Sequence, residues 1–148
     1  MISNFRHAGI VVPDLDMAID FYGRVLGFQI LRKMDEGGAY LETLMGIPGI
    51  RATTVKMGLG DRHEPKPIIE LLFFHQASVS APKRRLDELG LTHIALTVNN
   101  LDELYNRLVA ERVEFVSLPQ LSEDGSAKVV FARAPEGTYL ELVELLRP

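Results

Sequence analysis

The 148-residue sequence contains no cysteine and no tryptophan. The absence of cysteine excludes disulfides, thiolate nucleophiles, cysteine-based zinc sites and iron–sulfur clusters. No apolar run approaches the roughly 20 residues of a membrane-spanning helix, and the first apolar stretch stops at Pro13, too early for a secretory signal. The formal net charge of −4 offers no dominant attraction to nucleic acid or to anionic membranes. We therefore expect a cytoplasmic protein that binds neither nucleic acid nor membranes.

An internal repeat is the clearest positive feature of the sequence. One pair of similar segments, at an offset of 86 residues, aligns His7 with His93. A second pair, at an offset of 71 residues, aligns Glu70 with Glu141. The two offsets differ by 15 residues, which indicates that the first half carries about fifteen extra residues in its middle. A repeat of this kind determines the fold prediction before any local detail does.

Each half has the pattern of a strand, a helix and three further strands. We therefore predict an α+β protein of two βαβββ modules, residues 4–76 and 90–146, in one domain that spans residues 1–148. The helices begin at Leu15 and Leu101. The predicted strands are Arg6–Val12, Phe28–Arg32, Thr53–Met57 and Pro67–Phe74 in the first half, and His93–Val98, Glu114–Ser117, Lys128–Ala132 and Thr138–Leu145 in the second.

Residues with known terminal preferences set the limits of the helices. Asp14 is the predicted N-cap of the first helix, and Gly27 is placed where a helix ends in a left-handed residue. Asn99 or Asn100 is the predicted N-cap of the second helix, and the Pro135-Glu136-Gly137 segment predicts a turn between the last two strands.

Two segments of the first half are predicted to be irregular. The stretch from Met34 to Arg51 contains four glycines, and it predicts either a lid over a site or a plain surface loop. Residues 61–67 predict a polar loop.

Two glutamates occupy unusual positions for a carboxylate. Glu70 and Glu141 each lie in the middle of a predicted strand with apolar neighbours on both sides, where an unpaired carboxylate is costly. A single such glutamate, or a single histidine at a strand start, is more often structural. Here both types recur in register, with His7 and His93 at the other repeat-equivalent pair. One divalent cation bound by all four side chains accounts for the recurrence.

The other two histidines do not fit this arrangement. His63 lies in a polar segment and has no counterpart in the second half. His75 follows the strand that contains Glu70, and strand alternation places it on the other side of the sheet from Glu70. Both are therefore left out of the predicted site.

The order and spacing of several short motifs make the sequence similar to a known family. These motifs are His7–Val12, Asp14–Asp16, Phe21–Tyr22, Leu26–Phe28, Ile69–Leu71, Thr92–Ala95 and Pro135–Gly137 before Glu141–Leu142. Together they resemble the vicinal oxygen chelate superfamily, which comprises glyoxalases, bleomycin-resistance proteins and ring-cleaving dioxygenases. The resemblance implies two βαβββ modules whose sheets curl around one metal site, with His7, Glu70, His93 and Glu141 as ligands.

The ligand set favours one branch of this superfamily. Two histidines with two carboxylates resemble the glyoxalase and epimerase branch, whereas an Fe(II) dioxygenase holds its iron with two histidines and one carboxylate. We therefore expect a lyase or isomerase that stabilises an enediolate of a small-molecule substrate by metal chelation and moves a proton with a glutamate base. The mixed nitrogen and oxygen ligand set suits Ni, Co, Zn, Mn or Fe as the expected metal. The alternatives are an Fe(II) extradiol-type dioxygenase and a non-enzymatic small-molecule or drug-binding resistance protein.

The two glutamates are predicted to differ in their roles. Glu141 lies shortly after a turn, where a carboxylate can move, and is the predicted base. Glu70 is enclosed by isoleucines and leucines and is the predicted permanent ligand. A homodimer is expected, with the metal site either within one chain or shared across a swapped dimer.

Overall fold

A computed structural model of the chain describes residues 1–60, 66–76 and 84–146. The chain divides into two compact units, residues 1–80 and residues 81–148. Each unit is built on one mixed β-sheet, one of four strands and the other of five. The predicted α+β class is therefore confirmed.

The first unit has a βαβββ core with one additional helix. Its strand order is β1-β4-β3-β2, in which β1 is parallel to β4 and the other pairs are antiparallel. Its elements are β1 (Ala8–Val11), α1 (Leu15–Ile19), β2 (Gln29–Gly37), α2 (Ala39–Met45), β3 (Arg51–Leu59) and β4 (Lys66–Phe74).

The second unit repeats this topology. Its strand order is β5-β9-β8-β6, with β7 also paired to β8, and β5 is parallel to β9. Its elements are β5 (His93–Thr97), α3 (Leu101–Ala110), β6 (Glu114–Phe115), β7 (Gln120–Leu121), β8 (Ala127–Arg133) and β9 (Tyr139–Leu145). Strand β7 was not predicted, because two residues are too short for any periodic signal.

Helix α1 begins as predicted and then changes its winding. The Asp14 Oδ1 atom accepts a hydrogen bond from the backbone N–H of Met17 at 2.9 Å, which confirms the N-cap. After Ile19 the chain continues as a π-helix over Asp20–Val25, where one continuous α-helix was expected. The chain leaves the helix at Gly27, whose φ of 85° is the predicted left-handed conformation.

The core of the first unit lies on one face of its sheet. Val55 and Met57 of β3 pair in register with Leu71 and Ile69 of β4, and all four side chains are buried. Lys56 lies between the two buried residues of β3, and Glu70 lies between the two buried residues of β4. Lys56 and Glu70 pair in register, and because side chains alternate along a strand, both lie on the other face of the sheet. The candidate metal ligand Glu70 therefore stands on the face opposite to this core.

The second unit also has its core on one face of the sheet and its glutamate on the other. Val130 and Leu142 form a buried cross-strand pair on one face of the sheet, while Phe131 and Glu141 form a pair on the other face. Helix α3 begins at a left-handed Asn100, whose side chain accepts a hydrogen bond from the Glu103 N–H. Of the two predicted caps, Asn100 is therefore the N-cap.

The segment predicted to be a lid or a surface loop is mostly regular structure. Strand β2 extends to Gly37, and helix α2 follows between Gly38 (φ 80°) and Gly46 (φ 68°). Glycine adopts positive φ without steric cost, so the glycines mark the two ends of a short helix. Leu41 of this helix is buried in a small cluster with Ile50, Ala52 and Phe74.

The fifteen extra residues of the first half are divided between two places. Lys56 and Phe131 face equivalent glutamates and are 75 residues apart, so the offset falls from 86 at the helix starts, Leu15 and Leu101, to 75 at these two residues. Eleven extra residues therefore lie between Leu15 and Lys56, a stretch that includes α2. The other four lie between Lys56 and Glu70. Of the polar loop predicted at 61–67, residues 61–65 are outside the described residues, and Lys66 and Pro67 belong to β4.

Candidate metal centre

The first unit brings two of the four predicted ligands together. The His7 Nε2 atom lies 2.9 Å from the Glu70 Oε2 atom. Glu70 is the central residue of β4 and pairs in register with Gly9 of β1, and His7 precedes Gly9 by two residues, on the same face. The side chain of Glu70 is only 15% exposed.

The second unit brings the other two together in the same way. The His93 Nε2 atom lies 3.2 Å from the Glu141 Oε2 atom. Glu141 pairs in register with Ala95 of β5, two residues after His93. The register partners Gly9–Glu70 and Ala95–Glu141 are thus equivalent, and the repeat inferred from the sequence places both histidine–glutamate pairs identically within their units.

The Nδ1 atom of His93 has a partner that the sequence did not indicate. Thr92 Oγ1 lies 2.7 Å from it. A histidine that binds a metal through Nε2 keeps its proton on Nδ1 and donates it to a neighbouring oxygen. Thr92 Oγ1 is placed to accept this hydrogen bond from Nδ1–H, which fixes the ring orientation and leaves Nε2 directed at Glu141.

The geometry of both pairs fits two ligand atoms on one metal ion. Nitrogen and carboxylate oxygen bind Zn²⁺ and similar ions at about 2.0–2.2 Å, so two ligands at a right angle are about 3 Å apart. The measured separations of 2.9 and 3.2 Å bracket that value. Each pair can therefore provide one nitrogen and one oxygen to neighbouring coordination positions. Within the described ranges, no three His, Cys, Asp or Glu side chains form a metal-binding group.

The surroundings of the two glutamates differ. In the first unit Lys56 lies directly opposite Glu70, and its Nζ atom is 3.6 Å from Oε1, the oxygen that does not face His7. In the second unit Phe131 lies opposite Glu141, and its ring packs edge-on against His93 with 5.3 Å between ring centroids. Sequence reasoning missed Lys56, because only the strand register places it beside Glu70.

Of the two remaining histidines, the structure describes His75, which stands apart from the histidine–glutamate pairs. His75 Nε2 lies 2.9 Å from the hydroxyl of Thr53, which donates a hydrogen bond to Asp35 at 2.6 Å. Asp35 and His75 also line a cavity of about 560 Å³ beside α2, away from Glu70. The exclusion of His75 from the pairs is consistent with this arrangement, and His63 lies outside the described residues.

Comparison with known proteins identifies the family. Residues 4–142 match the glyoxalase/bleomycin resistance protein/dioxygenase superfamily. The chain belongs to this superfamily. A lactoylglutathione lyase of Pseudomonas putida is 26% identical over 95% of this chain and 84% of its own length. A 2-epi-5-epi-valiolone epimerase of an Actinomyces species is also 26% identical, over 95% of this chain and 78% of its own length.

Solved structures of the superfamily have the same fold. A glyoxalase family protein from Bacillus cereus superposes with a TM-score of 0.85 at 23% identity, over 99% of this chain and 97% of that one. The trypanothione-dependent glyoxalase I of Leishmania major superposes with a TM-score of 0.67 at 26% identity, over 97% and 87% of the two chains. In the described part of this superfamily member, no helix is long and apolar enough to cross a membrane.

Proposed function

We propose that the protein is a divalent-metal-dependent lyase or isomerase that moves a proton on a small oxygenated substrate. The observation that carries this proposal is the equivalent placement of two histidine–glutamate pairs, each with a nitrogen–oxygen separation near 3 Å. The similarity to lactoylglutathione lyases and to an epimerase supports the same class of reaction. The proposed substrates are hemithioacetals, α-hydroxycarbonyl compounds or thioesters.

The proposed metal ligands are His7, Glu70, His93 and Glu141. When bound, the divalent ion supplies Lewis-acid stabilisation of negative charge on two vicinal substrate oxygens. The mixed nitrogen and oxygen set suits Ni, Co, Zn, Mn or Fe. With the His93 proton on Nδ1, the Thr92 hydroxyl accepts a hydrogen bond from Nδ1–H and holds the ring, so that Nε2 stays available as a ligand.

Metal content tests the ligand assignment. We expect one divalent ion per chain in the wild-type protein, and a large loss of metal in His93→Ala. His75→Ala is a matched control, because it removes a histidine that contacts Thr53 and none of the four ligands. Equal metal content in all three proteins would exclude the proposed site.

Glu141 is the proposed base, and Glu70 is the proposed permanent ligand. Glu141 lies close to the turn at Pro135–Gly137, and its side chain is 26% exposed, against 15% for Glu70. A carboxylate that is also a metal ligand has to leave the metal to take a proton from the substrate carbon, whereas a permanent ligand does not, so the base needs a side chain that can move. We expect Glu141→Gln to retain most metal and to lose roughly 10²-fold or more in kcat.

The counterpart variant distinguishes the two roles. Glu70→Gln should weaken metal binding, with a smaller loss of kcat per bound metal. If Glu70→Gln abolishes turnover at full metal loading while Glu141→Gln turns over normally, the roles are reversed. Both variants are near-isosteric, so thermal melts of each protein serve as the control for folding.

Two simple assays separate the proposed reaction class from the alternatives. A panel of hemithioacetals, acyl-coenzyme A thioesters and catechols is incubated with metal-loaded protein. Incorporation of solvent deuterium at the substrate carbon supports proton transfer. Oxygen uptake with catechols in the presence of Fe(II) would instead identify a dioxygenase, and turnover of no compound would favour a binding protein.

We propose that the protein is a homodimer, and mixing two variants tests how its metal site is assembled. His7→Ala and His93→Ala chains are unfolded together and refolded. If each site combines the first unit of one chain with the second unit of its partner, about one site in four regains all four ligands. If each site is made by one chain, the mixture binds no more metal than either variant alone.

A further inference from the structure

A row of charged side chains crosses the sheet of the first unit on the face of Glu70. Lys56 of β3 lies directly opposite Glu70, and Arg32 of β2 lies directly opposite Lys56. Directly opposed residues in neighbouring strands share a face and are close together. The row therefore holds one carboxylate and two cations in sequence across three strands.

The second unit shows that Lys56 is not needed to keep a glutamate in this position. Phe131 lies opposite Glu141, and the backbone N–H of Val116, the residue after β6, donates a hydrogen bond to the Phe131 carbonyl. The His93–Glu141 pair forms there with an aromatic residue in place of the lysine. The positive charge of Lys56 and Arg32 is therefore a feature of the first unit that is not needed to form a histidine–glutamate pair.

Lys56 and Arg32 place two like charges opposite each other, with Lys56 partly buried and Arg32 exposed. Like charges directly opposite each other destabilise a sheet, and the side chain of Lys56 is only 27% exposed. Glu70 offsets one of the two charges through Oε1. One carboxylate cannot balance both a divalent ion and these two cations, so this face keeps a positive charge that a ligand can satisfy.

We infer that Lys56, with Arg32 beside it, binds an anionic oxygen group of the substrate, a carboxylate or a phosphate. This inference rests on the proposed function, because the substrate is taken to bind beside the His7–Glu70 pair. It narrows the substrate class to oxygenated carbonyl compounds that carry a negative charge. Lys56 is then a specificity-determining residue, and the charge of Arg32 adds to the attraction of the anionic group.

Three α-hydroxycarbonyl probes that differ in charge test the inference. Dihydroxyacetone is neutral, hydroxypyruvate carries a carboxylate, and dihydroxyacetone phosphate carries a phosphate. Their dissociation constants are measured by calorimetry on Co²⁺-loaded protein. We expect at least one anionic probe to bind roughly ten-fold more tightly than dihydroxyacetone, which is the effect of one hydrogen bond to a charged group.

The variants assign the preference to Lys56. Lys56→Met should remove it, and Lys56→Arg should retain it. The anionic probe that loses more affinity in Lys56→Met identifies the recognised group. Lys33→Met is the matched control, because Lys33 is the next residue of β2, pairs with Val55 and lies on the opposite face. Equal affinities for all probes in the wild type, or an unchanged preference in Lys56→Met, would overturn the inference.

A second arm keeps this test separate from the proposed function. If the wild-type protein binds no metal, the proposed function fails, and inorganic phosphate is then titrated into metal-free Glu70→Gln protein. Removing the carboxylate frees Lys56 from its partner, so phosphate should bind, and adding Lys56→Met should abolish that binding. No phosphate binding, or binding that does not depend on Lys56, would overturn the inference in this case too.

Discussion

Glu144 ties the start of helix α3 to strand β9, and its removal should lower stability measurably. Its Oε1 atom accepts the backbone N–H of Asn100 at 3.1 Å, and Oε2 accepts that of Leu101 at 3.0 Å. The first N–H groups of a helix have no partner within the helix, so a carboxylate that accepts two of them is stabilising.

The expected cost follows from these two hydrogen bonds. At 0.5–1.5 kcal/mol for each bond, Glu144→Ala should lower the free energy of unfolding by about 2 kcal/mol. Glu144→Gln keeps one acceptor oxygen but loses the charge and one bond, so we expect a loss of about 1 kcal/mol. With a urea m-value of roughly 2 kcal/mol/M, the unfolding midpoint of Glu144→Ala should fall by about 1 M.

Urea unfolding and amide hydrogen exchange measure this effect together. The exchange of the Asn100 and Leu101 amides should become faster in Glu144→Ala, because their acceptors are gone. Glu123→Ala is the control, since Glu123 is exposed in a loop and its removal should change stability by less than about 0.5 kcal/mol. A midpoint for Glu144→Ala within about 0.2 M of the wild type, with unchanged exchange, would refute the reasoning.

Three further predictions concern the rest of the chain. Thr53→Val removes the hydroxyl between Asp35 and His75, and we expect the free energy of unfolding measured in urea to fall by about 1–2 kcal/mol. An unchanged free energy of unfolding would exclude a stabilising role for these hydrogen bonds. Gly27→Ala places a methyl group at φ 85°, and its melting temperature should fall by an amount equivalent to about 1 kcal/mol, whereas an unchanged value would contradict the left-handed helix end. Hydrogen bonds from two neighbouring serines lower the pKa of the Asp124 carboxyl to about 2, below its value in the unfolded chain. The ionised carboxylate should therefore stabilise the fold fully above about pH 4, and this stabilisation should be lost as the pH falls towards 2. An NMR titration in which this carboxyl has its ordinary pKa would contradict the prediction.

The elements that the sequence predicted well are those with local causes. The N-cap at Asp14 and the left-handed Gly27 depend on residues within one helical turn, and both are confirmed. The histidine–glutamate pairs were found because the repeat made two weak signals coincide. The predicted joining of all four ligands at one ion stays a prediction.

Other features depend on information that no local pattern contains. The glycines around α2 were interpreted as loop residues, because glycine at a helix end and glycine in a loop look the same in a sequence. The contact between Lys56 and Glu70 depends on cross-strand register, which is fixed by strand pairing between residues that are distant in the chain. The link between Asp35, Thr53 and His75 joins three separate segments and has the same cause.

The extra length of the first half lies outside the paired segments that carry the histidine–glutamate pairs. A single inserted residue within β4 would turn Glu70 from one side of the sheet to the other, because side chains alternate. Insertions around α2 leave the Gly9–Glu70 pairing in phase. For protein engineering, this makes the connection between β2 and β3 a permissive place to graft or shorten sequence, whereas any change of length within β4 or β9 should be made two residues at a time.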